Sequence, residues 1–432
     1  MKLAPLLLIM AMIPNCRCTD GSTEPVPLPA ASPRWKPTRV EESMKSYVAE
    51  YASAARNSRV GVPFRPLAAM GRVTRLDAPA LSVVVDPAVE HVGVVHHFSY
   101  GVFTAGGGGI KSGESTLTSL QILESGYLHA GTERRWDDES VGVSVSATGI
   151  EWAILVDAPW LIYVVSQPTT YIPSHKSGPV SYPAAIKIVS EELDVSNPSL
   201  ARTIWKERFP SAGCGAIAAD HRVAVALRNG RFYVFDARPK PPGSTYWGHT
   251  LVDVPIDFSP YDMSIVESGY AILAAGDPID KPSPRTELDR HLALRAQRLE
   301  ETGELLPRWK TVLHHLGPDG VETYRREVPF EVLQPPIDAG NGRIYLMGNG
   351  TAAFQDGKLL FLTASPTPMF GTAFDDGTMA IAAGFELRIV GADGKVRQTF
   401  TTAEQEAITA PPAIGSDGSV WVGTTKALYV AR

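Results

Sequence analysis

From Leu81 onward the chain repeats one texture: short alternating or continuous apolar runs divided by Gly, Asp and Asn. Runs at 81–85, 92–96, 141–145, 152–156, 161–165 and 184–189 are too brief for packed helices, and several are rich in β-branched residues, so they predict strands. The same signal returns at 222–227, 231–235, 270–274, 292–296, 343–347, 359–363, 379–383, 386–390 and 419–422. With no helical pattern between them, these runs predict one all-β domain, either a series of sandwiches or a closed ring of sheets. A helical period occurs only near the start, where residues 40–56 place Met44, Tyr47, Val48 and Tyr51 on one face. That helix is expected to pack on the side or end of the β domain.

Internal repetition decides between sandwiches and a ring. Residues 335–346, 370–381 and 411–422 can be laid over one another, each reading strand, tight Gly turn, strand. Their turn glycines Gly342, Gly377 and Gly418 recur at roughly 35 to 41 residues, the length of one four-stranded blade. A second turn follows as Gln355-Asp356-Gly357-Lys358 and Ala392-Asp393-Gly394-Lys395, where Gly supplies the positive φ of a tight hairpin. One blade cannot bury both faces alone, so repetition implies stacking of neighbours around an axis. The expected fold is therefore an all-β β-propeller of four-stranded antiparallel blades, seven in number with six or eight as alternatives, plus one short N-terminal helix. The run 81–85 is expected to complete the last blade and close the ring. The domain reading is 1–18 signal peptide with a lipobox-like end, 19–37 Pro-rich tether, 38–60 helix and 61–432 propeller.

The repeats at 411–422 and 392–395 resemble those of quinoprotein-type (PQQ-like) propellers. Thr302, Gly303, Glu304 and Trp309 resemble the Thr-Gly to Trp signature of that family, and the likeness is clear over 290–432. Upstream it continues as compatible turns at 219–222 and 267–270 and as Ile204-Trp205 on an edge strand. Phe400 stands where another Trp would be expected. Dehydrogenases of the family are longer, and many carry adjacent Cys beside the quinone, which this chain lacks; the resemblance therefore implies fold without cofactor. Cofactor-free relatives include the envelope lipoprotein that assists insertion of outer-membrane β-barrels, a likeness of fold.

Composition adds an address and removes some functions. Lys2 precedes the apolar run 3–13, too short to span a bilayer but suited to a secretory signal. Ile13-Pro14-Asn15-Cys16 resembles the bacterial lipobox, which implies lipidation of Cys16; cleavage a few residues later and release is the alternative. By the same resemblance, Arg17 in place of Asp permits passage to the outer membrane. The expected location is exported, as an outer-membrane lipoprotein or a periplasmic or extracellular protein. Residues 19–33, rich in Pro and small residues, cannot bury enough apolar surface to order themselves. A net charge of -6 excludes the basic excess that nucleic acid binding requires. Of three Cys, Cys16 and Cys18 fall in the leader and Cys214 stands alone at the start of an apolar strand, so no disulfide framework is available.

A search for chemistry returns no catalytic, metal or cofactor residue. His91, His96 and His97 could offer metal ligands, but adjacent strand residues point oppositely, and the same holds for His314 and His315. Asp137-Asp138-Glu139 lacks the spacing of a Ca²⁺ loop and reads as a solvated loop. Gly106 to Gly109 lacks the frame of a phosphate loop and reads as a hairpin turn. Ser416 to Trp421 shares letters with the Asp-box of sialidases but suits a blade turn. The inserts 277–290 and 168–183, the latter with Tyr171, His175 and Tyr182, are candidate recognition loops. The favoured function is a non-catalytic cell-envelope module that binds another envelope protein or peptide. The alternative is a secreted propeller hydrolase or lyase acting on extracellular glycans or small molecules.

Overall fold

A computed structural model describes residues 58–110 apart from 87, 97 and 98, residues 309–432 apart from 366, and between them chiefly the backbone of strands, with side chains at 215–216, 224–226, 232, 234 and 260–276. The strands begin with β1 (Met70–Arg75), β2 (Ser82–Val85), β3 (His91–Val95), β4 (Ser99–Thr104) and β5 (Gly109–Glu114). Next come β6 (Leu117–Ile122), β7 (Leu128–Thr132), β8 (Glu151–Asp157), β9 (Trp160–Val165), β10 (Thr169–Tyr171), β11 (Val180–Tyr182), β12 (Ala184–Val189) and β13 (Thr203–Phe209). β14 (Cys214–Ile217), β15 (Arg222–Ala226), β16 (Arg231–Asp236) and β17 (His249–Asp253) follow, then β18 (Pro260–Val266), β19 (Gly269–Pro278), β20 (Trp309–Leu316) and β21 (Glu322–Val328). The C-terminal third holds β22 (Ile337–Asp338), β23 (Arg343–Gly348), β24 (Gly350–Gln355), β25 (Lys358–Ala364), β26 (Met369–Ala373), β27 (Met379–Ala383), β28 (Glu386–Val390), β29 (Val396–Thr401), β30 (Ala413–Ile414), β31 (Val420–Gly423) and β32 (Ala427–Ala431).

Among the described residues these form seven four-stranded antiparallel sheets, in which consecutive strands are mostly neighbours, as short hairpin turns dictate. β10 and β11 make a hairpin of their own inside the insert between β9 and β12, and β6 pairs with β7. First strands of successive sheets lie side by side: β8 by β14, β14 by β18, β18 by β22, β22 by β26, and β30 by β2. The sheets are thus arranged radially, with their first strands innermost.

The core lies between neighbouring sheets. Ala271, Leu273 and Leu313 of one sheet meet Ile344, Leu346, Ala352 and Phe354 of the next. The last sheet is gripped from both sides, Ala380, Leu387 and Ile389 packing on one face of it and Val83, Val85, Val92 and Val94 on the other. Trp421, Tyr270, Phe232, Phe330, Phe354 and Phe374 are fully buried there. Alanines opposite large side chains let sheets approach closely without voids.

The expected repeat units coincide with the first two strands of three sheets, β22–β23, β26–β27 and β30–β31, and Gly342, Gly377 and Gly418 all take positive φ. Gly357 and Gly394 do so in the turns before β25 and β29. Closure differs from expectation. The strand completing the last sheet is β1, paired with β32 from Met70↔Ala431 to Arg75↔Ala427. The run 81–85 instead supplies β2, whose four residues are all buried, as an innermost strand requires. Residues 58–60 are not helical: Arg59 bridges Ala373 in parallel. The expected helix at 40–56 and the runs 141–145 and 292–296 lie outside the described residues.

Candidate functional site at the first-turn face

The turns that join first to second strands gather at one end of the axis, and residues 58–69 cross that end as a strap. The segment is held as an added strand piece: Ala373 N donates to Ser58 O (2.8 Å), Val60 N to Ala373 O (2.9 Å) and Asp375 N to Val62 O (3.0 Å). Further out, Phe64 packs edge-on to Phe374 at 5.4 Å, and Leu67 exchanges two hydrogen bonds with the Gln398 amide. The strap ends at the rim, where Ala68 N donates to Arg432 O before β1 begins.

Where the strap starts, Arg59 enters a group of three acids drawn from the first turns of consecutive sheets. Its guanidinium lies 3.0 Å from Asp375 Oδ1, 3.7 Å from Glu267 Oε2 and 3.9 Å from Asp338 Oδ1. The Arg59 side chain is 12% exposed and that of Asp338 3%, so the pair sits in low dielectric where charge matters most. Asp338 accepts the N–H groups of Gly340 (2.8 Å) and Glu267 (2.7 Å). Burial raises its pKa, while Arg59 and these two N–H groups pull the other way. Glu267 in turn accepts the Asn341 N–H at 3.0 Å, joining two turns.

Beside Glu267, Ser268 Oγ lies 2.8 Å from His315 Nε2. Thr323 Oγ1 lies 2.5 Å from His315 Nδ1 and 3.1 Å from its carbonyl, so both ring nitrogens have hydroxyl partners. The ring stacks on Tyr324 at 4.5 Å. Burial lowers its pKa to about 4, leaving a neutral imidazole at pH 7. His314 turns to the opposite face and meets Glu322 at 2.7 Å, yet burial outweighs that carboxylate and lowers its pKa also. Next to the strap, Phe64, Pro66, Asp376, Thr378, Asp393 and Gln398 border a recess of about 730 Å³. The Lys395 backbone N–H holds Asp393 below the usual carboxylate range.

The sequence-predicted residues are dispersed. Cys16, Asp137-Asp138-Glu139 and 279–308 lie outside the described residues. His91 pairs with Asp86 at 2.8 Å, and His96 Nδ1 lies 3.0 Å from Pro79 O. Cys214 opens β14. Gly106 to Gly109 lie in and just past the turn from β4 to β5, and Asp417 caps its own turn by accepting the Ser419 N–H, while Trp421 Nε1 donates to Ser419 Oγ. Among the described residues no three His, Cys, Asp or Glu side chains are placed to hold a metal. Arg59, Glu267 and Asp338 were missed by sequence reading. One signal was present, since Glu267, Asp338, Asp375 and Asp417 all stand just before a turn glycine.

Four-stranded antiparallel sheets set radially, their first turns collected at one end of the axis, define a β-propeller. Among solved structures, the chain is similar to Sqt1 of Chaetomium thermophilum bound to the N-terminus of ribosomal protein L10, at 8% identity over 83% of this chain and 98% of that one, with a TM-score of 0.50. The WD40 domain of Neurospora crassa Pan2 aligns at 8% identity over 85% and 97%, with a TM-score of 0.44. No protein-family profile and no curated protein sequence matches the chain.

Proposed function

We propose that this chain is a non-catalytic, protein-binding propeller of the bacterial cell envelope whose first-turn face receives an extended segment of another protein. One observation carries the reading: that face already holds an extended polypeptide, the strap, through main-chain bonds to β26 and an arginine among Glu267, Asp338 and Asp375. Beside the strap, the carboxylates of Glu267 and Asp375 remain exposed and open to a partner segment that is extended, basic and partly apolar. The Sqt1 complex supports the reading, being a propeller with a polypeptide N-terminus as ligand. The apolar run 3–13 and Cys16 support export with a lipid anchor, and the turn spacing supports PQQ-like repeats. β6 lies against β2, β3 and β8, which supports an eighth blade position between the first two four-stranded sheets.

The test is site-specific photocrosslinking in the native host, with the reactive group at Asn341 or Asp376 of the full chain. One identified envelope protein should be captured from both positions, and Glu267→Lys with Asp375→Lys should reduce capture at least about tenfold, as like charge meets a basic segment. Capture that is absent, or unaffected by charge reversal, would reject the reading.

A further inference from the structure

A hydroxyl becomes a nucleophile when a neutral imidazole accepts its proton at contact distance, and the turn between β18 and β19 supplies that pair. Ser268 Oγ lies 2.8 Å from His315 Nε2, while Thr323 Oγ1 lies 2.5 Å from His315 Nδ1 and 3.1 Å from the His315 carbonyl. One placement of protons satisfies all three contacts. A carbonyl only accepts, so the lone Thr323 hydroxyl proton goes to it, and Nδ1 must then carry the ring proton and donate to Thr323 Oγ1. Nε2 is left with its lone pair toward Ser268, whose hydroxyl donates to it. The ring is fixed in that sense, being 3% exposed and stacked on Tyr324. The serine is held as firmly. Glu267 N donates to Asp338 Oδ2 on one side of the turn, and on the other Gly269 lies so near β20 that a Cβ would meet Leu316 O at 2.1 Å. Ser268 keeps part of its surface in solvent.

We infer that Ser268 is an acyl-accepting serine, with His315 as its general base and Thr323 as the residue that positions the ring, and that its reagent is an uncharged activated carboxylic ester. In the step, Ser268 Oγ bonds to the ester carbonyl carbon and the bond from that carbon to the leaving oxygen breaks, the oxygen keeping the electron pair. The Oγ proton passes to His315 Nε2 and from there to the leaving oxygen. Charge selects the reagent. Glu267 is the chain neighbour of Ser268, and Asp356, in the turn before β25, raises the basicity of the ring without offsetting burial. Arg326 lies beyond Tyr324, 5.7 Å from that ring. With acids on the near side, an uncharged electrophile fits and an anionic one is repelled. The inference goes beyond the binding role proposed above and does not rest on it, since the step needs no partner protein.

The full chain is mixed with p-nitrophenyl acetate, quenched in acid and mapped by peptide mass spectrometry, which should find an acetyl group on Ser268. Burial lowers the His315 pKa to about 4, so the base is already neutral and the rate of acetylation at Ser268 should be flat from about pH 6 to 8. An unassisted hydroxyl would instead gain about tenfold per pH unit. His315→Gln should slow acetylation at least about a hundredfold, the usual size of general-base assistance. Thr323→Val should slow it about tenfold by removing the hydrogen bond that sets the tautomer, and Thr323→Ser should restore it. The pH profile needs no variant, and thermal unfolding of each variant separates lost chemistry from lost fold. No acetyl on Ser268 in the parent, a rate that climbs with pH throughout that range, or a rate indifferent to His315→Gln would each overturn the inference. Photocrosslinking from Asn341 or Asp376 is scored without any ester, so the binding role and the reactive serine can fail separately.

Discussion

At the scale of single residues, Asp338 and His315 show how burial sets charge. Asp338 is kept in the core by one cation and two backbone N–H groups, so removing the cation leaves a buried carboxylate short of compensation. Arg59→Ala should therefore destabilise the protein by about 2 kcal/mol, the low side for a buried pair because the separation is long. Adding Asp338→Asn in that background should restore about half of the loss, as read by urea unfolding. For His315 the folded value near 4 lies below the ordinary 6.5, so between those values the unfolded chain binds more protons. Stability consequently rises with pH across that window and is lost on acidification from about 6.5 toward 4, by at most about 3 kcal/mol. His314, also lowered, adds in the same direction, and Asp338, raised, opposes it in acid. Unfolding midpoints between pH 4 and 7 should flatten in His315→Gln relative to the parent.

At the scale of elements, turn geometry sorts glycines that look alike in sequence. Gly269, between β18 and β19, has φ +142, and a Cβ there would lie 2.1 Å from the Leu316 carbonyl oxygen. Gly418, between β30 and β31, has φ +86 and open space around the same position. Gly418→Ala should cost about 1 kcal/mol for the left-handed backbone alone, whereas Gly269→Ala should cost more than about 2 kcal/mol because backbone must shift. Thermal unfolding of the two variants separates strain from contact. Strand positions were largely legible: the runs 184–189, 379–383 and 386–390 coincide with β12, β27 and β28. β1 was not, because Met70–Arg75 is an edge strand, half-exposed and carrying Arg72 and Arg75, and so has no apolar period to read.

At the scale of the whole molecule, the ring and its occupied end are long-range facts. Ala380, Trp421 and Val85 belong to three sheets yet share one core, and each sheet buries its faces only against its neighbours. The apolar runs and turn glycines determined by themselves the strands, the hairpins and their grouping in fours, because these depend on periodicity and on φ within a few residues. Only the tertiary structure decided that β1 and not the run 81–85 closes the ring, and that Arg59 meets Asp375, 316 positions along the chain. Such contacts leave no local signature, since they form only when loop closure brings together residues that have no reason of their own to attract at short separation.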